Sequence, residues 1–175
     1  MRIRLATAKD LDALVALYAH LQSIHATAQP ALFKKSVDAP ETRAALANML
    51  GTPSVVWLIA EDPEPCGYLY AQFRKQEETW SRPRFRVCNI SHVVVDPRLR
   101  RQGVARALVT ALTKIARREG CERIELDVWS FNRTAKRAFT RLGFTVFNER
   151  MSLRTANAGS RHAPARKSFR STARN

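Results

Sequence analysis

A junction between a strand and a helix at residues 93–105 limits the architectures open to this chain. Three consecutive valines, Val93–Val95, are typical of the end of a buried strand, and Asp96-Pro97 stops it. A helix is predicted next, because apolar residues recur at helical spacing from Val104 onward. Those residues are Val104, Leu108, Leu112 and Ile115, and Gly120 ends the helix. A strand that leads directly into a helix favours a mixed α/β fold.

The turn inside this junction has the chemistry of an anion site. The first amides of a helix lack intrahelical partners and carry a positive partial charge, which suits a phosphate. Arg100 and Arg101 add full charges, and Gly103 lets a ligand approach the backbone. The turn lacks the G-x-G-x-x-G spacing of dinucleotide folds and the G-K-[ST] of a Walker A loop. It therefore predicts a pyrophosphate site of another kind.

Helical and strand patterns alternate along most of the chain. Helices are predicted after Thr7, from about Pro40 to Leu50, after Gly103 and after Asn132. Strands are predicted at residues 2–5, 55–60, 67–74, 86–95 and 123–129, and residues 144–147 and 151–153 resemble final strand material. A chain of 175 residues can form one sizeable core, so we expect one domain at residues 1–154. Residues 155–175 are basic and poor in large apolar side chains, so we expect a disordered tail.

The charge of the chain has two interpretations: solubility without a specific partner, which charge alone favours, or attraction of anionic partners. There are 30 Lys and Arg residues against 15 Asp and Glu, and only five of the basic residues lie in the tail. Nucleic acid, an acidic membrane or a phosphorylated cofactor would be attracted to such a protein. No nucleic-acid-binding motif is recognisable, so nucleic acid is the less favoured partner. The cysteines and histidines lack metal-ligand spacing, and neither a signal peptide nor a membrane span is evident, so we expect a cytoplasmic protein without a metal.

Residues 93–105 resemble the acetyl-CoA-binding motif of the GNAT acyltransferases, (Arg/Gln)-x-x-Gly-x-(Gly/Ala). A second block resembles the family as well: Asp127–Asn132, then Ala135 and Leu142-Gly143-Phe144. The resemblance covers residues 86–154 well and the first part of the chain more loosely. It implies a GNAT fold, with a mixed sheet of about six to seven strands flanked by about four helices. The sheet would be splayed where acetyl-CoA binds.

The resemblance also implies a set of cofactor contacts. The strand at Val93, Val94 and Val95 would pair with the pantetheine arm, and an amide near Val93 would stabilise the oxyanion. The turn would hold the pyrophosphate, and the second block would line the arm. The residues implied in the turn are Arg100, Arg101, Gln102, Gly103, Val104, Ala105 and Arg106; those in the second block are Asn132, Ala135 and Phe139.

Two residues are candidates for the general base, which must leave the acceptor amine unprotonated. Asp127 lies where related ribosomal-protein acetyltransferases carry a catalytic Glu, but it could equally be a solvated strand residue or an anion that binds the substrate. Ser91 stands where other members carry a Glu, and the neighbouring His92 could replace it, although a lone strand histidine is more often structural. Strand alternation predicts that at most one of Ser91 and His92 enters the slot.

The usual acid is missing, because Phe139 stands where many members carry a tyrosine that protonates the leaving thiolate. Tyr68, Tyr70 or a water could replace it. The alternative is that no acid is needed, since a thiol with a pKa of roughly 8.5 is a tolerable leaving group.

The resemblance implies transfer of acetyl from acetyl-CoA to a primary amine, on a small molecule, a protein N-terminus or a lysine. Two alternatives stay open: a domain that binds acyl-CoA with weak turnover, and a basic nucleic-acid-binding module. Many members dimerise, so a homodimer is an open expectation. The acceptor pocket would lie between residues 21 and 49 and before Arg86, with His25, Phe33, Trp57 and Trp80 either lining it or packing in the core.

Overall fold

A computed structural model describes residues 1–153 of the chain, so the predicted tail lies outside the described residues. Within that range, four α-helices accompany five β-strands, and two short 3-10 turns precede α1 and α3. The helices are α1 (Leu11–Ala28), α2 (Ala39–Leu50), α3 (Val104–Arg118) and α4 (Arg133–Arg141). The strands are β1 (Arg2–Leu5), β2 (Val55–Glu61), β3 (Pro65–Gln76), β4 (Phe85–Val95) and β5 (Arg123–Leu126).

The strands form one mixed sheet in the order β1-β2-β3-β4-β5. Neighbours are antiparallel except for β4 and β5, which are parallel and joined through α3. A parallel pair requires such a crossover, so the helix predicted after Gly103 is what brings β5 beside β4. The mixed α/β architecture expected from the sequence is confirmed.

The strand count differs from the expected six to seven. Residues 144–153 form no strand in the part of the chain that the structure describes. Val146, Phe147 and Met151 are mostly exposed, so their apolar side chains find no face to pack against. Strand preference is largely a matter of such packing, which a local pattern does not reveal.

Both faces of the sheet are covered. On one face, α3 contributes Leu108 and Leu112, which are completely buried against β3 and β4 residues such as Leu69 and Cys88. On the other face, α1 and α2 cover a cluster that contains Leu14, Ile59, Trp57, Tyr68, Tyr70 and Val94. This second face is unusually aromatic, and it lies directly behind the carboxyl end of β4.

The entry to α1 is fixed by the capping arrangement predicted at Thr7. The Asp10 carboxylate accepts hydrogen bonds from the Thr7 amide at 2.7 Å and from its hydroxyl at 3.1 Å. The Arg4 guanidinium also binds Asp10, at 2.7 and 2.8 Å, and this pairing holds the pKa of that carboxyl at about 2. The first strand is thereby tied to the first helix.

Candidate active site

The turn between β4 and α3 is held by its own acid–base pair. Asp96 ends β4, and its carboxylate accepts a hydrogen bond from the Arg98 amide at 2.9 Å. The Arg98 guanidinium binds the same carboxylate at 2.7 Å, and these bonds lower the pKa of Asp96 to about 2. Asp96 therefore stays ionised at neutral pH, and it fixes the direction in which the chain leaves the sheet.

Two residues of the turn have left-handed backbone conformations. Arg101 has φ 65° and Gly103 has φ 85°. A side chain at Gly103 would meet no atom within 4 Å, so the space beside this residue is open. Gly103 precedes α3, and the amide of Ala107 is the first to bond back, to the Gly103 carbonyl at 3.0 Å. The amides of Val104, Ala105 and Arg106 donate to no group in the described range, and the first turn holds no acidic residue. These are the properties of an anion site at a helix N-terminus.

The structure brings most of the predicted cofactor residues to this one junction. Gln102 bonds through its amide to the Arg98 carbonyl at 3.4 Å, while Arg100, Arg101 and Arg106 are exposed. Val94 and Val104 differ from the rest, because their side chains are buried in the core. Gly67 of β3 packs tightly against both residues, because a Cβ at this glycine would lie 2.8 Å from the Val94 carbonyl oxygen and 3.1 Å from the Val104 side chain. Any contribution of Val94 and Val104 to ligand binding must therefore come from their backbone.

The pairing of β4 with β5 stops partway along β4, and we refer to the gap beyond the last pair as the slot. The two strands pair from Val87 opposite Arg123 to Ile90 opposite Leu126, and there the pairing ends. β4 continues for five more residues to Val95, whereas the chain after Leu126 leaves the sheet. The free edge of β4 therefore runs from the slot to the anion turn. The predicted strand to Trp129 is shorter in the structure, because the chain diverges at the point where the slot begins.

The second block follows β5 along the chain and leads into α4. Asn132 caps α4, and its side-chain oxygen accepts a hydrogen bond from the Ala135 amide at 3.0 Å. Phe139 is partly buried, and its ring packs edge-on against Phe144, with centroids 5.7 Å apart. The cap explains why Asn suits position 132 without a ligand. Cofactor contacts by Asn132, Ala135 and Phe139 stay predictions.

A β-bulge that strand alternation did not predict turns His92 toward the sheet face that α1 covers. Tyr70 pairs with His92, but the next residue of β3, Ala71, pairs with Ile90, so Ser91 has no partner there. Before the bulge Cys88 and Ile90 face α3, and after it Val94 faces α1. Simple alternation from Ile90 would have turned His92 toward α3. The adjacent polar residues Ser91 and His92, which interrupt the apolar run from Ile90 to Val95, were the available signal.

Aromatic rings surround His92. Its Nδ1 lies 3.3 Å from the hydroxyl of Tyr68, and the ring centroids of Tyr18 and Tyr70 lie 5.7 Å and 5.5 Å from its own. Removal from water, with a smaller effect of nearby His25, lowers the pKa of His92 to about 4. The imidazole is therefore neutral at pH 7 and able to accept a proton. Burial also raises the pKa of Tyr68 well above its usual value, so this hydroxyl keeps its proton.

Asp127, the other predicted base, lies just beyond the end of β5. It is exposed, and it forms no hydrogen bond or ion pair with another residue of the described range. Because Ile90 pairs with Leu126, His92 and Asp127 begin opposite sides of the slot. The structure gives no contact between them, so the role of Asp127 stays a prediction.

An aromatic cluster lies at the outer end of α1 and beside the second block. His25 stacks on Phe33 with centroids 4.8 Å apart, and Trp129 stacks on Phe131 at 5.9 Å. The two pairs meet through Phe33 and Trp129, whose centroids are 5.4 Å apart. Two of the four residues predicted for the acceptor pocket, His25 and Phe33, thus pack with Trp129 and Phe131, which belong to the second block. The other two separate: Trp57 is buried beneath His92, and Trp80 is fully exposed.

No group of three or more potential metal ligands occurs among residues 1–153. None of the helices in that range combines the length and the apolar character needed to cross a membrane.

Sequence comparisons relate the chain to known acetyltransferases. The family model described as "Acetyltransferase (GNAT) family" matches residues 18–144. A tRNA(Met) cytidine acetyltransferase of Pectobacterium atrosepticum is 27% identical over 72% of this chain, which spans only 21% of that protein.

Solved structures share the fold at low identity. A Bacillus halodurans protein superposes with a TM-score of 0.80 and 22% identity, covering 89% of this chain and 100% of that one. An aminoglycoside N-acetyltransferase in complex with CoA superposes with a TM-score of 0.70 and 19% identity, covering 88% and 93%. With the match to the family model over most of its described length, the chain belongs to the GNAT acetyltransferase family.

Proposed function

We propose that the protein transfers an acetyl group from acetyl-CoA to an amine by direct attack within a ternary complex. One observation carries the proposal: the free edge of β4 begins at a slot beside β5 and ends at an anion turn. A slot of this kind suits an extended arm, and the turn suits the phosphates at the end of that arm. The neutral His92 stands on the strand that forms the slot.

The proposed cofactor site uses backbone groups and cations together. Amides of residues 101–105 would bind the pyrophosphate, with Arg100, Arg101 and Arg106 supplying charge around them. The edge of β4 would hydrogen-bond the pantetheine arm, and an amide near Val93 would stabilise the developing oxyanion. Gly103 leaves the approach open, because nothing fills the space where its side chain would be.

His92 is the proposed base. As the amine nitrogen forms its bond to the acetyl carbon, the carbon–sulfur bond breaks and the nitrogen releases a proton, which His92 can accept. With a pKa of about 4, His92 is too weak to deprotonate an alkylammonium, whose pKa is about 10. The acceptor must therefore bind as the free amine. Asp127, across the slot, is proposed to hold the amine through an N–H hydrogen bond rather than to remove its proton.

The leaving thiolate has no evident acid beside it. Phe139 has no proton to donate, and the buried Tyr68 keeps its own at neutral pH. Release of CoA as the thiolate is tolerable, because a thiol has a pKa near roughly 8.5. The missing hydroxyl also supports a second candidate: a GNAT domain that binds acyl-CoA but turns over weakly.

The test is CoA release from acetyl-CoA over a panel of amines, with mass spectrometry of the products. We expect release with at least one amine class, and a loss of about 10²-fold or more in kcat for His92→Asn, typical of removing a general base. His20→Asn is the matched control, because His20 is exposed on α1. Binding of acetyl-CoA without release for any amine would favour the second candidate. Equal rates in His92→Asn and wild type would exclude His92 as the base.

A further inference from the structure

The outer face of α4 carries an unusual concentration of positive charge. Four exposed cations project from this helix, and it contains no acidic residue. None of them forms an ion pair with an acidic side chain in the described part of the chain, whereas Arg86 and Arg123 do. They are Arg133, Lys136, Arg137 and Arg141, and with Thr140 they line a surface groove of about 410 Å³. Unpaired cations at this density repel one another, so an anionic ligand would stabilise them.

The basic groove leads toward the aromatic cluster. Arg133 also lines a second groove, of about 390 Å³, together with Phe131 and the end of α1 at Thr27. Phe131 stacks on Trp129, which is 41% exposed although its ring is large and apolar. The Asn132 amide bonds to the Trp129 carbonyl at 2.8 Å, which fixes the ring beside the start of α4. The basic groove and the groove that contains Phe131 are thus joined through Arg133, which lines both.

This combination selects among anionic partners. A single-stranded nucleic acid carries one phosphodiester group per nucleotide, which matches a row of cations. Its bases stack on exposed aromatic rings, at about 1–3 kcal/mol for each base. An acidic peptide would satisfy the cations but not the rings. A polycationic acceptor would be repelled by them.

We propose that the basic face of α4, with Trp129 and Phe131, binds a single-stranded nucleic acid and presents an exocyclic base amine to the slot. This deepens the proposed function, on which it rests, by naming the class of acceptor. The amine nitrogen would form an amide bond to the acetyl carbon, the carbon–sulfur bond would break, and CoA would leave as the thiolate. The nitrogen proton would pass to His92 and from there to water.

The chemistry of such an acceptor agrees with the site. An exocyclic base amine is uncharged at neutral pH, so it needs no strong base before attack. Asp127 at the slot is a natural acceptor for its N–H, as carboxylates are for the cytosine amino group. The low pKa of His92 therefore suits this acceptor better than a lysine.

The experiment is fluorescence anisotropy with a labelled single-stranded 12-nucleotide RNA of mixed sequence, without acetyl-CoA and over a range of salt. Lys136→Glu/Arg137→Glu should weaken binding at least tenfold and flatten the plot of log K against log salt by about 1.4, since each phosphate contact contributes about 0.7. Lys114→Glu/Arg118→Glu, the same charge change on exposed residues of α3, should weaken it less than threefold. Trp129→Ala should weaken binding about tenfold and leave the salt slope unchanged.

Three binding results would overturn the proposal. Equal weakening by the two double variants would mean that only net charge attracts RNA. Displacement of the RNA by saturating acetyl-CoA would mean that the α4 face serves the cofactor. Polyglutamate of equal charge binding as tightly as the RNA would mean that the bases are not recognised.

Acetyl transfer is measured separately, by digesting the RNA to nucleosides and determining their masses by mass spectrometry. Acetylated nucleosides are the expected result. If small amines are acetylated and RNA is not, nucleic acid is excluded as the acceptor and the proposed function stands. If no amine of any class releases CoA while RNA still binds through α4, the proposed function fails, and α4 is an RNA-binding surface that does not serve acetyl transfer.

Discussion

His92 should make the protein less stable as the pH falls, well before its carboxylates titrate. A histidine in an unfolded chain has a pKa near 6.5, whereas burial among Trp57, Tyr68 and Tyr70 lowers the pKa of His92 to about 4. Between these values the unfolded state binds a proton that the folded state does not. Stability is therefore fully present above about pH 6.5 and is lost progressively down to about pH 4.

The size of the effect follows from the two pKa values. At pH 5 the unfolded imidazole is almost fully protonated and the folded one only about a tenth, so the linkage cost is about 2 kcal/mol. At pH 7 it is close to zero. Asp10 and Asp96 do not contribute in this window, because their pKa values are about 2. His25, whose pKa is also lowered by burial, adds a smaller effect with the same sign.

Urea unfolding at pH 7 and pH 5 measures the difference in the free energy of unfolding. We expect wild type to lose about 2 kcal/mol or slightly more, and His92→Asn to lose much less, with the remainder due to His25. An NMR titration of the imidazole gives the pKa directly. A His92 pKa of about 6.5 or higher would refute the reasoning, because it would mean that water or a carboxylate reaches the ring.

The remaining predictions concern the turn, the slot and the core. Gly103→Glu should weaken acetyl-CoA binding by tenfold or more in calorimetry. The control is Gly120→Glu, which introduces the same backbone strain at φ 69° but at the far end of α3, and it should leave the affinity unchanged. Equal losses of affinity in the two variants would mean that strain alone is responsible. Asp127→Asn should raise KM more than it lowers kcat and keep the pH profile, and a shifted profile would make Asp127 the base instead. Leu14→Ala, at a completely buried position, should reduce the free energy of unfolding by about 3–4 kcal/mol, against less than about 0.5 for the exposed Leu32→Ala; similar values would contradict the packing of α1.

The turn between β4 and α3 was predictable from the sequence because its signals are local, while anion binding at this turn stays a prediction. Proline and glycine set the backbone, the arginines set the charge, and the helix after Gly103 follows from apolar periodicity. The mixed α/β class followed from the same alternation of patterns. The structure adds the left-handed conformation of Arg101, which no residue preference predicts for an arginine.

The position of His92 was not predictable from strand periodicity. A single extra residue at Ser91 reverses which side chains face α1, and a bulge depends on the pairing with β3 rather than on β4 alone. The prediction of strands at residues 144–147 and 151–153 was wrong for a similar reason. Residues 144–153 have strand-like composition, but packing decides whether such a segment pairs, and Val146 and Phe147 are left exposed.

The packing of the aromatic cluster required the three-dimensional structure. Trp129 and Phe33 are far apart in sequence, and only the fold brings their ring centroids to 5.4 Å from each other. In the sequence, nucleic acid was the less favoured partner because no motif was recognisable. The position of Arg133, which lines both the basic groove and the groove that contains Phe131, is the observation that favours nucleic acid in the proposal.

The most direct test of the central claim is a calorimetric titration of the protein with acetyl-CoA at moderate salt, with ATP as the comparison ligand. The slot and the turn together predict micromolar binding of acetyl-CoA and binding of ATP at least tenfold weaker, because ATP offers phosphates but no pantetheine arm. Equal affinity for the two ligands, or no binding of acetyl-CoA, would mean that the turn is only a basic patch and that the slot beside β4 holds no cofactor.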